Sequence, residues 1–164
     1  MSTPVEALAL RRQQISDTHL RPAGERPPSS ARGLHHTALL CADVEATVRF
    51  YQDVLHFPLT HVTENRDYPG STHFFFDIGN GNALAFFDLP GLDLGPYAEV
   101  LGGLHHIAIS VAPEQFDLVH ASLTEAGVGH VHESGTSVYF ADPDGARLEI
   151  IRDPLGEMYG EQVV

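Results

Sequence analysis

One short segment occurs twice in this chain, and this internal repeat is the feature that most constrains the fold. Gly-Leu-His-His-Thr-Ala at residues 33–38 recurs as Gly-Leu-His-His-Ile-Ala at residues 103–108. Further along, residues 73–85 align without a gap on residues 137–149. Because the two matches keep their order along the chain, we expect two copies of one structural unit.

Both copies have the pattern of a strand, a helix and three more strands. Asp43 fits the N-cap of the first helix, and Asn-Gly and Asp-Gly turns at 80–81 and 144–145 join the last two strands of each copy. The predicted strands are 34–41, 58–64, 72–78 and 83–88, then 104–111, 128–133, 136–141 and 146–151. We therefore expect an α+β fold of two tandem βαβββ modules, 33–102 and 103–164.

Residues 1–32 differ in composition from the rest of the chain. They hold five of the nine arginines, and the Pro- and Gly-rich segment 21–30 predicts no regular structure. A short helix can form over Pro4 to Gln14. We interpret this region as a flexible N-terminal arm; the alternative is an arm that packs on a partner subunit.

The charge of the remaining chain excludes several kinds of partner. From residue 33 onward there are four arginines, no lysine and 19 acidic residues, a formal charge of −15. Such a body repels nucleic acid and anionic membrane surfaces. The single cysteine, Cys41, excludes a disulfide scaffold, and no apolar run approaches the ~18 residues of a membrane span. We expect a cytoplasmic protein.

Strand alternation selects one histidine of the second His-His pair. Ile107 and Ile109 are bulky and apolar, and they alternate with His106 and Ala108. Successive side chains of a strand point to opposite faces. We therefore expect His106 to line a cavity, while its neighbour His105 lies on the other face.

The same parity applies to the first copy and to the last strand. It places His36 on the cavity face and His35 on the other face, and it leaves Glu149 opposite the core residues Leu148 and Ile150. Two histidines and one carboxylate form a three-ligand metal site with open positions. The alternative is that these histidines only pack or hydrogen-bond. The predicted divalent-metal ligands are His36, His106 and Glu149.

These motifs resemble the vicinal oxygen chelate superfamily, which includes glyoxalase I, fosfomycin- and bleomycin-resistance proteins and extradiol dioxygenases. The segments that carry the resemblance are 34–39, 43–55, 104–111 and 139–149. The resemblance covers residues 33–152 and implies paired βαβββ modules that curve a mixed sheet around a metal cavity. The metal positions of the family fall on His36, Ala85, His106 and Glu149.

Positions where this chain departs from the family pattern distinguish between the activities known in the family. Ala85 cannot bind a metal, which resembles extradiol dioxygenases and fosfomycin thiol transferases rather than glyoxalase I. Tyr139 matches a tyrosine of the dioxygenases, whereas Ala38 replaces a threonine of the transferases. Asn82 stands where the dioxygenases have an acid–base histidine, and His73, on the cavity face by parity, is the candidate to replace it. Tyr139 and His73 are therefore the candidate catalytic residues.

The resemblance favours an extradiol-type dioxygenase acting on a small aromatic or vicinal-oxygen substrate. Fe(II) is the first choice of metal, and Mn(II), Ni(II) and Zn(II) are the others. The alternatives are a lyase, an isomerase or a thiol transferase, or a resistance protein that binds a drug or metabolite. The resemblance also implies a homodimer, and it leaves open whether one chain or two chains close the site.

Overall fold

The computed structural model describes residues 4–164 and divides them into two units at Gly33. The first unit contains α1 (Pro4–His19), none of whose residues is buried, and a single 3-10 turn, Ala23–Glu25. Helix α1 continues past the predicted end at Gln14, because the chain contains no Pro or Gly between Pro4 and Pro22. The short turn lies in the segment for which no regular structure was predicted.

The second unit, residues 34–164, contains the two modules and confirms the predicted α+β fold. The first module consists of β1 (His36–Leu40), α2 (Val44–Arg49) with its π-helical continuation Phe50–Val54, β2 (Leu59–Glu64), β3 (Thr72–Asp77) and β4 (Ala83–Phe87). The second consists of β5 (Ile107–Ser110), α3 (Pro113–Glu125), β6 (His130–Glu133), β7 (Ser137–Ala141) and β8 (Arg147–Ile151). A hairpin of β9 (Glu157–Met158) and β10 (Glu161–Gln162) follows.

Each module forms a four-stranded mixed sheet, and the two sheets have equivalent strand orders, β1-β4-β3-β2 and β5-β8-β7-β6. The first and last strands of each module are parallel, and the other neighbours are antiparallel. Ala38 is registered opposite Ala85, and Ala108 opposite Glu149. Directly opposite residues share one face of a sheet. The repeat seen in the sequence is therefore a repeat of register.

The predicted N-cap of α2 is confirmed, and a glycine follows the end of α3. The Asp43 side chain accepts a hydrogen bond of 2.9 Å from the Ala46 backbone N–H, which makes it the N-cap of α2. Gly127 follows α3 with a φ of 69°, a conformation that favours glycine. None of the helices within residues 4–164 has the length and apolar character of a membrane span.

The core lies on the helix-facing side of both sheets, and the continuation of α2 joins them. The Tyr51 ring lies 4.8 Å from Phe86 of its own sheet, whereas the adjacent Phe50 ring lies 6.1 Å from Phe140 of the second sheet. All four residues are buried. The core thus uses one face of each sheet, and the opposite faces carry the predicted site residues.

Candidate metal centre

Glu149 on β8 is a fully buried carboxylate, and only one of its two oxygens accepts a hydrogen bond within residues 4–164. Its neighbours Leu148 and Ile150 point into the core, so its own side chain points to the other face. The Ser137 hydroxyl donates a hydrogen bond of 2.5 Å to Oε1. Among residues 4–164, Oε2 has no hydrogen-bond partner. A buried carboxylate oxygen without a hydrogen bond is costly, and a bound cation offsets that cost.

His106 and Tyr139 complete this group, which we call the Glu149 cluster (His106, Ser137, Tyr139 and Glu149). Nε2 of His106 lies 3.1 Å from Glu149 Oε2, although without the angle of a hydrogen bond. The Tyr139 ring lies 5.7 Å from the His106 ring. Burial raises the pKa of the Tyr139 hydroxyl, and the neighbouring Glu149 and Tyr159 raise it further, so this hydroxyl remains a hydrogen-bond donor at neutral pH.

The equivalent face of the first sheet holds the other two predicted site residues. His36 is exposed, and its ring lies 6.4 Å from Phe75, edge to face. The His73 ring stacks on Phe87 at 3.9 Å, and its Nε2 is buried without a hydrogen-bond partner among residues 4–164. Burial lowers the pKa of His73, and nearby His36 lowers it further. A neutral imidazole is the form that accepts a proton.

The structure brings two of the three predicted metal ligands together and leaves the third elsewhere. His106 and Glu149 are in contact, whereas His36 lies beside Phe75 on the other sheet. Within residues 4–164, no three His, Cys, Asp or Glu side chains are placed to hold a metal ion together. The donor types fit a divalent metal, because an imidazole nitrogen lies 3.1 Å from a carboxylate oxygen that has no hydrogen-bond partner within residues 4–164. One chain supplies two such donors at one place.

The other histidine of each pair does not simply face away, as strand parity predicted. His105 Nδ1 lies 2.6 Å from His106 Nδ1, and His35 Nδ1 lies 2.9 Å from His36 Nδ1. The reason is that β1 begins at His36 and β5 begins at Ile107, so these segments lack the alternation of a regular strand. Each candidate ligand therefore has a neighbouring imidazole on its second ring nitrogen. Such outer contacts orient metal ligands in known sites.

Sequence reasoning missed two residues of this region. The Ser137 hydroxyl donates a hydrogen bond to the carboxylate of Glu149. Tyr159 of the C-terminal segment raises the pKa of Tyr139. The repeat contained a signal for Ser137, because the gapless alignment places it on His73. Tyr159 lies beyond the aligned segments, so the repeat could not identify it.

A cavity of about 660 Å³ lies next to the first sheet. The connection between the modules, residues 89–97, forms one wall, and the end of β1 with Ala38 and Leu40 forms another. The Tyr97 hydroxyl donates to the Leu104 carbonyl at 2.7 Å, which anchors this connection to the start of the second module. The mainly apolar lining suits a hydrophobic group of a small molecule.

Comparisons with known proteins identify the family. Residues 33–150 match the family model described as the glyoxalase/bleomycin resistance protein/dioxygenase superfamily. A Bacillus subtilis protein assigned as the ring-cleaving dioxygenase MhqA is 28% identical over 78% of this chain, but the match spans only 42% of that protein. The metallothiol transferase FosB of Shouchella clausii is 31% identical over 76% of this chain and 83% of its own length.

A solved structure shows the same fold. The fosfomycin resistance protein FosX of Listeria monocytogenes, complexed with Mn(II) and a dihydroxypropylphosphonic acid, has a TM-score of 0.55 and 24% identity. The match covers 76% of this chain and 94% of that chain. The paired modules, the matched residues 33–150 and this likeness agree, and the chain belongs to the glyoxalase/bleomycin resistance protein/dioxygenase superfamily.

Proposed function

We propose that this chain is a metal-dependent enzyme whose divalent metal is held by His106 and Glu149 of one chain and by His36 of a second copy. The observation that carries the proposal is the buried Glu149 carboxylate, whose Oε2 has no hydrogen-bond partner within residues 4–164. Nε2 of His106 lies 3.1 Å from this oxygen. A cation between them would satisfy the carboxylate and use the imidazole as a neutral ligand.

Exposure of the site faces supports the second copy. His36 and Ala38 are exposed on β1, and Leu40 on the same face is 47% exposed. On the second sheet Val131, registered opposite Tyr139, is 59% exposed. In a symmetric dimer, the first sheet of each chain would pack against the second sheet of the other chain. This would complete two equivalent sites, because His36 of each chain would join His106 and Glu149 of the other.

For the reaction we propose oxygen-dependent cleavage of a small aromatic compound with two neighbouring oxygens. A bound Fe(II) would supply redox chemistry with O₂ and polarise the substrate oxygens. Tyr139, protonated at neutral pH, would donate a hydrogen bond to one of these oxygens. His73, neutral and with a free Nε2, would accept the proton that the substrate loses on binding. The ring-cleaving dioxygenase relative supports this choice.

Thiol transfer to a small substrate is the second candidate. The supporting observation is the match to a metallothiol transferase over 83% of that protein's length, a larger share than for the dioxygenase relative. The same three ligands would serve, with the metal acting only as a Lewis acid. The formal charge of −15 from residue 33 onward disfavours an anionic substrate.

One experiment separates these reactions. Protein purified without oxygen is analysed for metal and then loaded with Fe(II) or Zn(II). Oxygen consumption is followed with a panel of aromatic diols, and loss of thiol is followed with electrophilic substrates under nitrogen. We expect ring cleavage that requires both Fe(II) and O₂. Full turnover with Zn(II), or without O₂, would replace the dioxygenase assignment with the transferase or lyase assignment.

A further inference from the structure

Three histidines outside the Glu149 cluster lie together between α3 and β6. The His120 ring of α3 lies 4.9 Å from the His130 ring and 5.5 Å from the His132 ring. His132 is exposed, and the other two are half-buried. We call these three residues the His120 cluster.

The His120 cluster is separate from the candidate metal centre. His130 and His132 are registered opposite Phe140 and Val138, whose side chains belong to the core face. The residue between them, Val131, is registered opposite Tyr139 on the site face. The sheet therefore stands between the two groups of histidines. Strand β6 is the last strand of its sheet, so solvent reaches the His120 cluster from the open edge.

The orientation of His130 is typical of a metal ligand. Its Nδ1 lies 2.8 Å from the backbone carbonyl of Val128. A carbonyl oxygen can only accept, so Nδ1 carries the hydrogen and Nε2 keeps a free lone pair. Metal-binding histidines commonly donate their second ring N–H to a backbone carbonyl in this way, which fixes the ring and the tautomer.

We propose that the His120 cluster binds one divalent transition-metal ion, with Zn²⁺ as the reference case. Imidazoles that share a tetrahedral zinc at about 2.0–2.1 Å have ring centres about 5 Å apart. The measured separations of 4.9 and 5.5 Å match this spacing. Within residues 4–164, no three His, Cys, Asp or Glu side chains are placed to hold a metal ion together, and this holds for the cluster as it stands. Binding therefore requires the His120 and His132 rings to rotate, and His132 is exposed to solvent, which leaves its ring room to do so.

The surroundings of the cluster also bear on cation binding. Phe116 packs against His132 at 5.7 Å, and Arg152 lies over the Phe116 ring at 5.6 Å. Arg152 is the unfavourable charge near the cluster. The formal charge of −15 from residue 33 onward attracts cations. The exposed strand edge leaves the fourth coordination position to water, as zinc permits.

A metal at this position would tie the edge strand β6 to α3. An ion that binds only the folded chain raises its stability in proportion to the logarithm of its concentration. The site would thus stabilise the second module. This proposal does not depend on the reaction proposed above, because its ligands lie on the opposite face of the sheet.

The test uses untagged full-length protein and Zn²⁺ alone, in the His106→Ala background, where the candidate metal centre lacks a ligand. Bound zinc is measured by equilibrium dialysis, and the midpoint of thermal unfolding is measured with and without zinc. We expect about one zinc per chain and a midpoint that rises with zinc concentration. Adding His132→Ala should weaken binding at least tenfold and abolish the shift in midpoint. His120→Ala should act in the same way.

His19→Ala in the same background is the matched control, because His19 is an exposed histidine of the first unit. It should leave zinc binding and the midpoint shift unchanged. The proposal is overturned if the His106→Ala protein binds no zinc. It is equally overturned if His132→Ala and His19→Ala have the same effect, since zinc would then bind histidines in general.

Discussion

The Tyr51 hydroxyl donates a hydrogen bond of 3.0 Å to Oδ2 of Asp142, and this bond joins the helix of the first module to the second sheet. Tyr51 is fully buried, and Asp142 is 6% exposed. Oδ1 of Asp142 accepts from the backbone N–H groups of Ala146, at 2.8 Å, and Asp144, at 3.0 Å. The carboxylate thus orders the turn before β8 and fixes the position of the module that carries Glu149.

Tyr51→Phe should lower the free energy of unfolding by about 1–3 kcal/mol, because it leaves Oδ2 of Asp142 buried without its donor. Urea unfolding measures the change. Tyr68→Phe is the control, since the Tyr68 hydroxyl donates to the Pro90 carbonyl at the surface. The control should lose less than about 1 kcal/mol. Equal losses in the two variants would mean that the buried Tyr51 hydrogen bond contributes no more to the free energy of unfolding than a surface hydrogen bond does.

Asp142 should also give stability a pH dependence. Burial raises its pKa by more than its hydrogen bonds lower it. The folded chain therefore holds this proton more tightly than the unfolded chain, whose Asp has a pKa of about 3.9. This contribution is complete below that pH and is lost as the pH rises through the raised pKa of the folded state. Asp142→Asn should therefore gain stability relative to the wild type across that window.

The measurement is urea unfolding of both proteins between about pH 3.5 and 7, because the window opens near the unfolded pKa. Asp67→Asn provides a comparison of opposite sign, since the hydrogen bond from Arg66 lowers the pKa of the exposed Asp67. A difference between Asp142→Asn and wild type that does not change with pH would contradict the effect of burial.

His106→Ala should remove one equivalent of bound Mn(II), because it deletes a direct ligand of the proposed centre. His105→Ala should keep that equivalent but weaken its binding by about 10–100-fold, since His105 contacts the second ring nitrogen of His106 and is not itself a proposed ligand. Mn(II) is the suitable probe because sites built from imidazole alone hold it weakly. Complete loss in both variants would show that the two histidines have the same role.

Mixing two inactive variants tests whether two chains share the site. His36→Ala and Glu149→Gln each break every site of a homodimer. In a mixed dimer with shared sites, one site receives both defects and the other receives none. After random exchange of subunits, Mn(II) occupancy should recover to about one quarter of the wild-type value. No recovery, with exchange verified by mass spectrometry, would place all three ligands within one chain.

His73→Ala should slow turnover of an oxygen-dependent substrate at least tenfold without releasing the metal, if His73 accepts the substrate proton. Its Nε2 is buried and without a partner within residues 4–164, so the substitution removes no hydrogen bond there. The measurement is turnover together with metal content, with His61→Ala as the control because His61 is an exposed histidine of the same sheet. Unchanged turnover would remove His73 from the reaction.

The sequence alone determined the two modules and the face of residues inside the regular strands, such as Glu149. The N-cap at Asp43 and the position of Glu149 between Leu148 and Ile150 are local patterns, and the structure retains both. Local patterns are readable because period and capping depend on neighbours a few residues apart. They also sufficed to identify the family before any contact between distant residues was known.

Tertiary structure decided which of these residues meet. The position of His36 relative to Glu149 depends on how Phe50 and Tyr51 pack against both sheets, and sequence periodicity contains no information about that packing. The hydrogen bond from Ser137 to Glu149 likewise depends on the register of β7 against β8. Sequence named the candidate ligands because their faces are a local property. Only the packed core decided that one chain gathers two of the three.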